Sequence, residues 1–516
     1  MTIVQAGAIN TTALAVPDVY VQIVPPSQNF LNGVPTNILG IIGSASWGPV
    51  NAPTVVRGLA DFVPQFGNVQ ARKYDLGTAV WAAQLNGANN MRCVRVSDGT
   101  DTAATATIGT NGLTVTGRYT GSLGNKLQVS LSQGSAANSW KAVVSLPGLS
   151  PEVFDNLATG LTGNAVWVAI AAAINAGSSA LRGPSQLVTA GAGNGTAAPV
   201  AGTTVLSGGT DGAANVTGSM LLGQDSAPRK GLYALRSTGC AVAMLADCDD
   251  STTYTAQAAF GLSEGVYMIA TGPAGDTIAN AASVKAGAGI DSYALKLLLG
   301  DWCYFLDTVN AQTRLVSPQA FLAGRLSALT PERSGLNKQL YGIVGTQRSS
   351  STGGVTVYSA AELQQLAQAG IDVIANPCPG GSFFGSRIGC NTSSNAVING
   401  DNYPRLTNYI AATLNAGMGM YVGRLQSPSV RAQAGATLNA FLSGLWSAGQ
   451  IGDVTDAKKQ PFTITLDNSN NPAPKVALGY MTADVRVTYL SVITKLLINV
   501  EGGQSVSISV AGQTAQ

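Results

Sequence analysis

Apolar residues recur along this chain in two rhythms. Short continuous runs, ILGIIG (38–43), MRCVRV (91–96), AVAML (241–245), VYMIAT (266–271) and WCYFL (302–306), read as strands covered on both faces. Between them, Leu76, Ala79, Val80 and Ala83 follow helical spacing until Gly87, and further helices are expected near 252–263 and 277–299. Ser359 and Glu362 have capping-box spacing, Leu363 and Leu366 face inward, and Gly370 closes that helix before the strand IDVIA. Strands alternating with helices predict an α/β fold whose core is an open, doubly wound sheet.

The pattern changes between about 100 and 225. LTVTGRY (113–119) and KLQVSL (126–131) alternate apolar with polar residues, glycine recurs every few positions, and one helix is expected over 165–176. This reads as an inserted, mostly β domain. Later, Val430, Ala434, Leu438, Phe441, Leu442 and Leu445 line one side of a helix over 430–448, followed by strands at TITL (463–466), VRVTYL (485–490) and KLLINV (495–500). The implied division is an N-terminal arm (1–30), a first part of the core (31–99), the insertion (100–225), the main core with a C-terminal part (226–490) and a C-terminal arm (491–516).

Both arms carry strand patterns without an obvious local partner. Val19, Val21 and Ile23 share one strand face between Pro17 and Pro25, and Leu496, Ile498 and Val500 do the same near the other end. Such strands pair with a sheet of their own chain or of a neighbour. Pro25 with Pro26, and Gly502 with Gly503, are candidate hinges beside them.

Composition narrows the chemistry. The 516 residues contain 28 Lys and Arg against 26 Asp and Glu, a net charge of +2, and no histidine. Catalysis through a Ser-His-Asp or Cys-His pair and a mixed Cys/His zinc site are thereby excluded. Near-neutral charge argues against a nucleic-acid partner, whose phosphates need clustered cations. Charged residues make up 10%, far below the roughly 25% of an ordinary domain, so the surface is one that suits contact with other protein. Cysteines 93, 240, 248, 303, 378 and 390 show no CxxC spacing and are expected as buried free thiols. The start MTIVQAGAIN lacks a signal-peptide pattern, and AVWVAIAAAI (165–174) is too short to cross a bilayer, so no membrane insertion is expected.

Three motifs suggest chemistry. GLSEG (261–265) matches a nucleophile elbow around Ser263, but a helix precedes it and a strand follows, the reverse of what an elbow needs. GAGNGT (191–196) lies in a low-charge loop region and no phosphate-binding loop is present, so no cofactor is expected. AVAMLADCDDS closes an apolar strand with Asp247, Asp249 and Asp250, and Asp307 closes another. That arrangement is the alternative reading, a magnesium-dependent phosphatase of the haloacid-dehalogenase type using Asp247 and Asp249. Against it stands helix capping, for which Asp followed by Ser251 and Thr252 is suited.

Several segments, taken in order, carry a further signal. They are PDVYVQIVPP (17–26), TNILGIIGSASWGPVN (36–51), DFVPQFG (61–67), MRCVRVSDG (91–99) and YTGSLGNKLQVSL (119–131). Further on come SPQAFLAGRLSALTPERSGLNKQLYGIVG (317–345), LQQLAQAGIDVI (363–374), FFGSRIG (383–389) and DVRVTYLSVITKLLINVEGG (484–503). In this order they resemble the contractile tail sheath proteins of bacteriophages; the resemblance covers about half of the residues and leaves 135–230 unmatched. It implies a structural subunit without enzymatic activity or cofactor. Such subunits stack as hexameric rings around a tail tube, add terminal strands to neighbours' sheets, and contract to drive the tube through the host envelope. The implied partners are copies of the chain, the tube protein, and baseplate and tail terminator proteins; the implied place is the virion tail, assembled in the host cytoplasm. Arg424 and Arg431 are the candidate tube-facing cations.

Overall fold

The computed structural model describes residues 2–4, 20–22, 31–179, 182–348, 358–498 and 500. Its largest sheet has six strands in the order Leu295–Leu298, Tyr267–Thr271, Val242–Leu245, Leu39–Gly43, Met91–Arg95 and Thr54–Val56. All neighbours are parallel except the edge strand Thr54–Val56, which runs antiparallel to Met91–Arg95. The continuous apolar runs follow from burial on both faces. Leu39, Ile41, Val242 and Met244 meet helices Leu76–Leu85 and Gln319–Ala328 on one face. Ile42, Ala243 and Leu245 meet helices Tyr254–Glu264, Ile278–Gly287 and Ala360–Ala369 on the other. The first two helices approach so closely that a Cβ on Gly324 would lie 2.4 Å from the Ala83 carbonyl oxygen, so only glycine fits there.

Two expectations change here. The stretch 277–299 is not one helix: helix Ile278–Gly287 is followed by strand Leu295–Leu298 at the sheet's edge. WCYFL does not join the main sheet. Strand Cys303–Asp307 is the middle of a separate antiparallel sheet with Gln312–Val316 and Ile343–Thr346. Tyr304 and Leu306 are more exposed than Cys303, Phe305 and Asp307, so one face of this strand is uncovered.

Residues 103–205 form a three-stranded sheet (Ala103–Ile108, Leu113–Thr120, Val188–Ala192) and a four-stranded one (Gln128–Gln133, Trp140–Ser145, Glu152–Leu157, Gly202–Val205), both antiparallel. With helix Asn164–Ala176 they enclose a core of their own, into which Trp47 reaches from the turn after strand Leu39–Gly43. Arg95 fastens this region to the main sheet. Its buried guanidinium donates to the carbonyls of Gly48 (2.8 Å), Thr120 (2.7 Å) and Asp211 (3.1 Å). Burial pushes its pKa down to about 10.

The C-terminal part packs helices Asn402–Met418 and Pro428–Ser447 against an antiparallel pair of strands, Phe462–Thr465 and Asp484–Val487. Leu406, Ile410, Phe441, Leu442, Leu445 and Phe462 form its core. The helix expected over 430–448 is thus found, with its apolar side inward. All six cysteines are free and buried. Among the described residues no helix is long and apolar enough to cross a membrane.

Candidate functional site

The carboxylates after strand Val242–Leu245 are each occupied locally. Asp247, buried and in the left-handed backbone region (φ 50°), accepts a hydrogen bond from the Ser317 backbone N–H at 2.9 Å, and burial pushes its carboxyl up. Asp249 pairs with Lys73 at 2.8 Å. Burial works against the Lys73 charge, but the hydrogen bonds and charges of Asp249 and Tyr74 together outweigh it, and the pKa lies above the ordinary value. Asp250 caps the turn Ser251–Thr253 by accepting from the Thr252 backbone N–H at 3.0 Å. Asp307 accepts from Arg314 at 2.7 Å and from the Asn310 backbone at 3.0 Å. Against the cost of burial, those donors hold its carboxyl below the usual range.

Among the described residues no three carboxylates or thiols converge as a metal-ligand set. The phosphatase reading on Asp247 and Asp249 is therefore not supported, because one carboxylate is sealed against Ser317 and the other neutralised by Lys73. Ser263 donates to the Phe260 carbonyl at 3.1 Å within helix Tyr254–Glu264, and Gly265 closes the helix in the left-handed conformation. GLSEG is a helix terminus, where the sequence pattern put it.

The surface is unusual elsewhere. Among the described residues, every large apolar side chain at least 60% exposed belongs to residues 422–500, apart from Val200, Val344 and Val397. Val422 and Leu425 (84% and 91% exposed) stand on the connection between the two C-terminal helices. Leu478 and Tyr480 follow the short helix Ala473–Ala477, and Ile493, Leu496, Leu497, Ile498 and Val500 lie on the last described stretch. Large apolar side chains left uncovered by their own fold carry an interaction surface where they lie together.

The strand expected over 495–500 is not formed: the described residues from 488 to 500 join no ladder, and Leu496, Ile498 and Val500 project into solvent. The pattern lacks a partner strand within the described residues, and an unpaired strand does not persist alone. Val21 lies in strand Tyr20–Gln22, which pairs in parallel with Thr2–Val4. Val19, Ile23, Pro25, Pro26, Gly502 and Gly503 lie outside the described residues.

Arg424 is exposed, its guanidinium 5.3 Å from the centre of the Tyr421 ring, and Arg431 donates to the Asn468 side chain at 2.9 Å. The sequence reading named these cations but missed Val422, Leu425, Leu478 and Tyr480. The available signal was large apolar residues inside turn-rich segments, where no helix or strand offers cover.

No protein-family model matches the chain, and no curated protein sequence matches it. Solved structures do. The sheath tail protein of Listeria innocua matches at TM-score 0.59 and 14% identity, over 85% of this chain and 90% of that one. The sheath tail protein of Desulfitobacterium hafniense matches at TM-score 0.55 and 16% identity, over 87% and 93%. The helical sheath of the anti-feeding prophage in its contracted state matches at TM-score 0.54 and 11% identity, over 95% and 99%. The chain has the fold of contractile tail sheath proteins.

Proposed function

We propose, from a sheath fold that extends over nearly the whole chain, that this protein is the structural subunit of a contractile sheath. The observation that carries the reading is that likeness joined to the exposed apolar surface of residues 422–500. Copies stack as hexameric rings around a tail tube, ending at baseplate and terminator proteins, in a virion tail or a related injection particle put together in the host cytoplasm. The sheath shortens and drives the tube through the host envelope.

The division into arms, core and insertion given above belongs to this proposal, as does the doubly wound description of the core. Helices on both faces and a strand order that departs in two directions from Leu39–Gly43 support the latter. In the assembled sheath, Val19, Val21 and Ile23 of one arm and Leu496, Ile498 and Val500 of the other add strands to neighbouring subunits. Main-chain hydrogen bonds of that kind hold while the bodies they connect move, with Pro25, Pro26, Gly502 and Gly503 as hinges. The strand pair Phe462–Thr465 and Asp484–Val487 supports this role, since each strand has one edge without a ladder among the described residues. Arg424 and Arg431 face the tube. The extended sheath is a kinetic trap, and the tighter packing of subunit against subunit in the shortened sheath supplies the work.

Sedimentation and electron microscopy of the purified chain test the proposal. Hollow, striated tubes support it, and a dispersed monomer under all assembly conditions rejects it.

A further inference from the structure

Asp401 stands at the N-cap of helix Asn402–Met418, where an aspartate ordinarily accepts from its own helix, yet its carboxylate makes no capping bond. It turns into the main body. Its Oδ1 accepts from the Tyr267 hydroxyl (2.7 Å) and the Lys296 ammonium (2.8 Å), and its Oδ2 from Ser334 (3.3 Å). Lys296, on edge strand Leu295–Leu298, also pairs with Asp372 at 2.6 Å and donates to the Cys390 carbonyl at 3.0 Å. Lys296, Asp372 and Asp401 are wholly buried. One turn along the same helix, buried Arg405 donates to the carbonyls of Leu326 (2.7 Å), Leu329 (2.6 Å) and Arg333 (2.7 Å), at the C-terminal end of helix Gln319–Ala328. That end carries the negative pole of the helix dipole and free carbonyls, which suit a guanidinium.

From these two anchors we infer that Asp401 and Arg405 form a charged joint that holds the C-terminal helices to the α/β body as one rigid unit. A purely apolar contact tolerates sliding, whereas two buried charges of opposite sign, four residues apart on one helix, fit a single register. Pulling the helix away would take from Lys296 one of its two carboxylates, and from three carbonyls the guanidinium that donates to them, in a dry interior, so the joint opens only with the body itself. The carboxylates of Asp372 and Asp401 against the cations of Lys296 and Arg405 leave no net charge in the cluster. The inference rests on contacts within this chain and holds whatever the chain assembles into.

Hydrogen exchange on the full-length protein tests it. Asp401→Asn keeps the shape of the side chain and leaves the Lys296–Asp372 pair intact, and Tyr267→Phe removes a single hydroxyl. Tyr254→Phe is the control, because the Tyr254 hydroxyl is equally buried and donates to the Thr271 carbonyl at 2.8 Å, away from the joint. In the first two variants, amides of 402–447 are expected to exchange about tenfold faster or more, while strands 39–43 and 242–245 keep their protection and the control leaves 402–447 unchanged. Equal acceleration of the sheet and the helices would mean an ordinary core contact and would overturn the inference. So would unchanged protection of 402–447 in both variants.

Discussion

Phe462 and Val487 lie opposite each other in the antiparallel pair that covers the C-terminal helices, and both side chains turn toward Leu442 and its neighbours. The pair has only two strands among the described residues, so its outer edges offer main-chain donors and acceptors. Exposed Ile493, Leu496, Leu497 and Ile498 follow this pair along the chain, and open edges with uncovered apolar side chains fit the assembly proposed above.

Replacing Ile498 with proline tests the C-terminal arm. Ile498 is 71% exposed and joins no ladder among the described residues, so Ile498→Pro should change folding stability by less than about 0.5 kcal/mol. It should nevertheless suppress polymer formation by removing a donor from an added strand. Calorimetry and sedimentation of the same preparation measure both; normal polymerisation would discount Ile498 as a connector.

Deleting residues 1–28 tests the N-terminal arm. If this stretch pairs with neighbouring subunits, as proposed, the truncated chain is expected to remain folded and soluble yet fail to form tubes. Circular dichroism and electron microscopy read the two properties separately. Tubes of ordinary length would remove the arm from the assembly scheme.

Arg95→Met should loosen the join between the main sheet and the 103–205 region. Methionine fills much of the space but leaves the carbonyls of Gly48, Thr120 and Asp211 without this donor, at a cost of about 2–4 kcal/mol. Urea denaturation measures the loss, and a change below about 0.5 kcal/mol would contradict the role given to Arg95.

Asp75 gives a pH dependence of defined sign. Burial raises its carboxyl from the ordinary 3.8 to about 6, although it accepts from Thr78 at 2.8 Å. Because the folded pKa is the higher one, its stabilising contribution is full below about 3.8 and is lost as pH rises through about 6. Asp75→Asn removes that dependence. Relative to the unaltered protein, the variant should therefore gain up to about 3 kcal/mol between pH 4 and 7, as denaturant midpoints at both ends would reveal. A constant difference across that range would contradict the assignment.

Much of the core was legible because a parallel sheet buried on both faces leaves continuous apolar runs, as in AVAML and VYMIAT. The helix Ala360–Ala369 was legible for a different reason: Ser359 and Glu362 form the capping box their spacing announces, and Gly370 ends it at φ 62°. Strand Leu295–Leu298 was hidden because Lys296 interrupts it with a charge whose partners, Asp372 and Asp401, are remote in sequence. Helix Asn402–Met418 went unread since its first turn contains Pro404 and Arg405, whose burial depends on carbonyls of another helix. The exposed C-terminal surface was least legible. An apolar residue in a sequence announces burial, and only the structure reveals that Val422, Leu425 and Ile493 stay largely exposed among the described residues.

The central claim, that copies of this chain build a sheath by lending strands to one another, is tested most directly by cryo-electron microscopy of the full-length protein after assembly. The expected result is a hollow tube of sixfold rings in which a segment from a neighbouring subunit extends the strand pair Phe462–Thr465 and Asp484–Val487. Tubes whose subunits meet without an added strand, or a protein that stays monomeric, would contradict it.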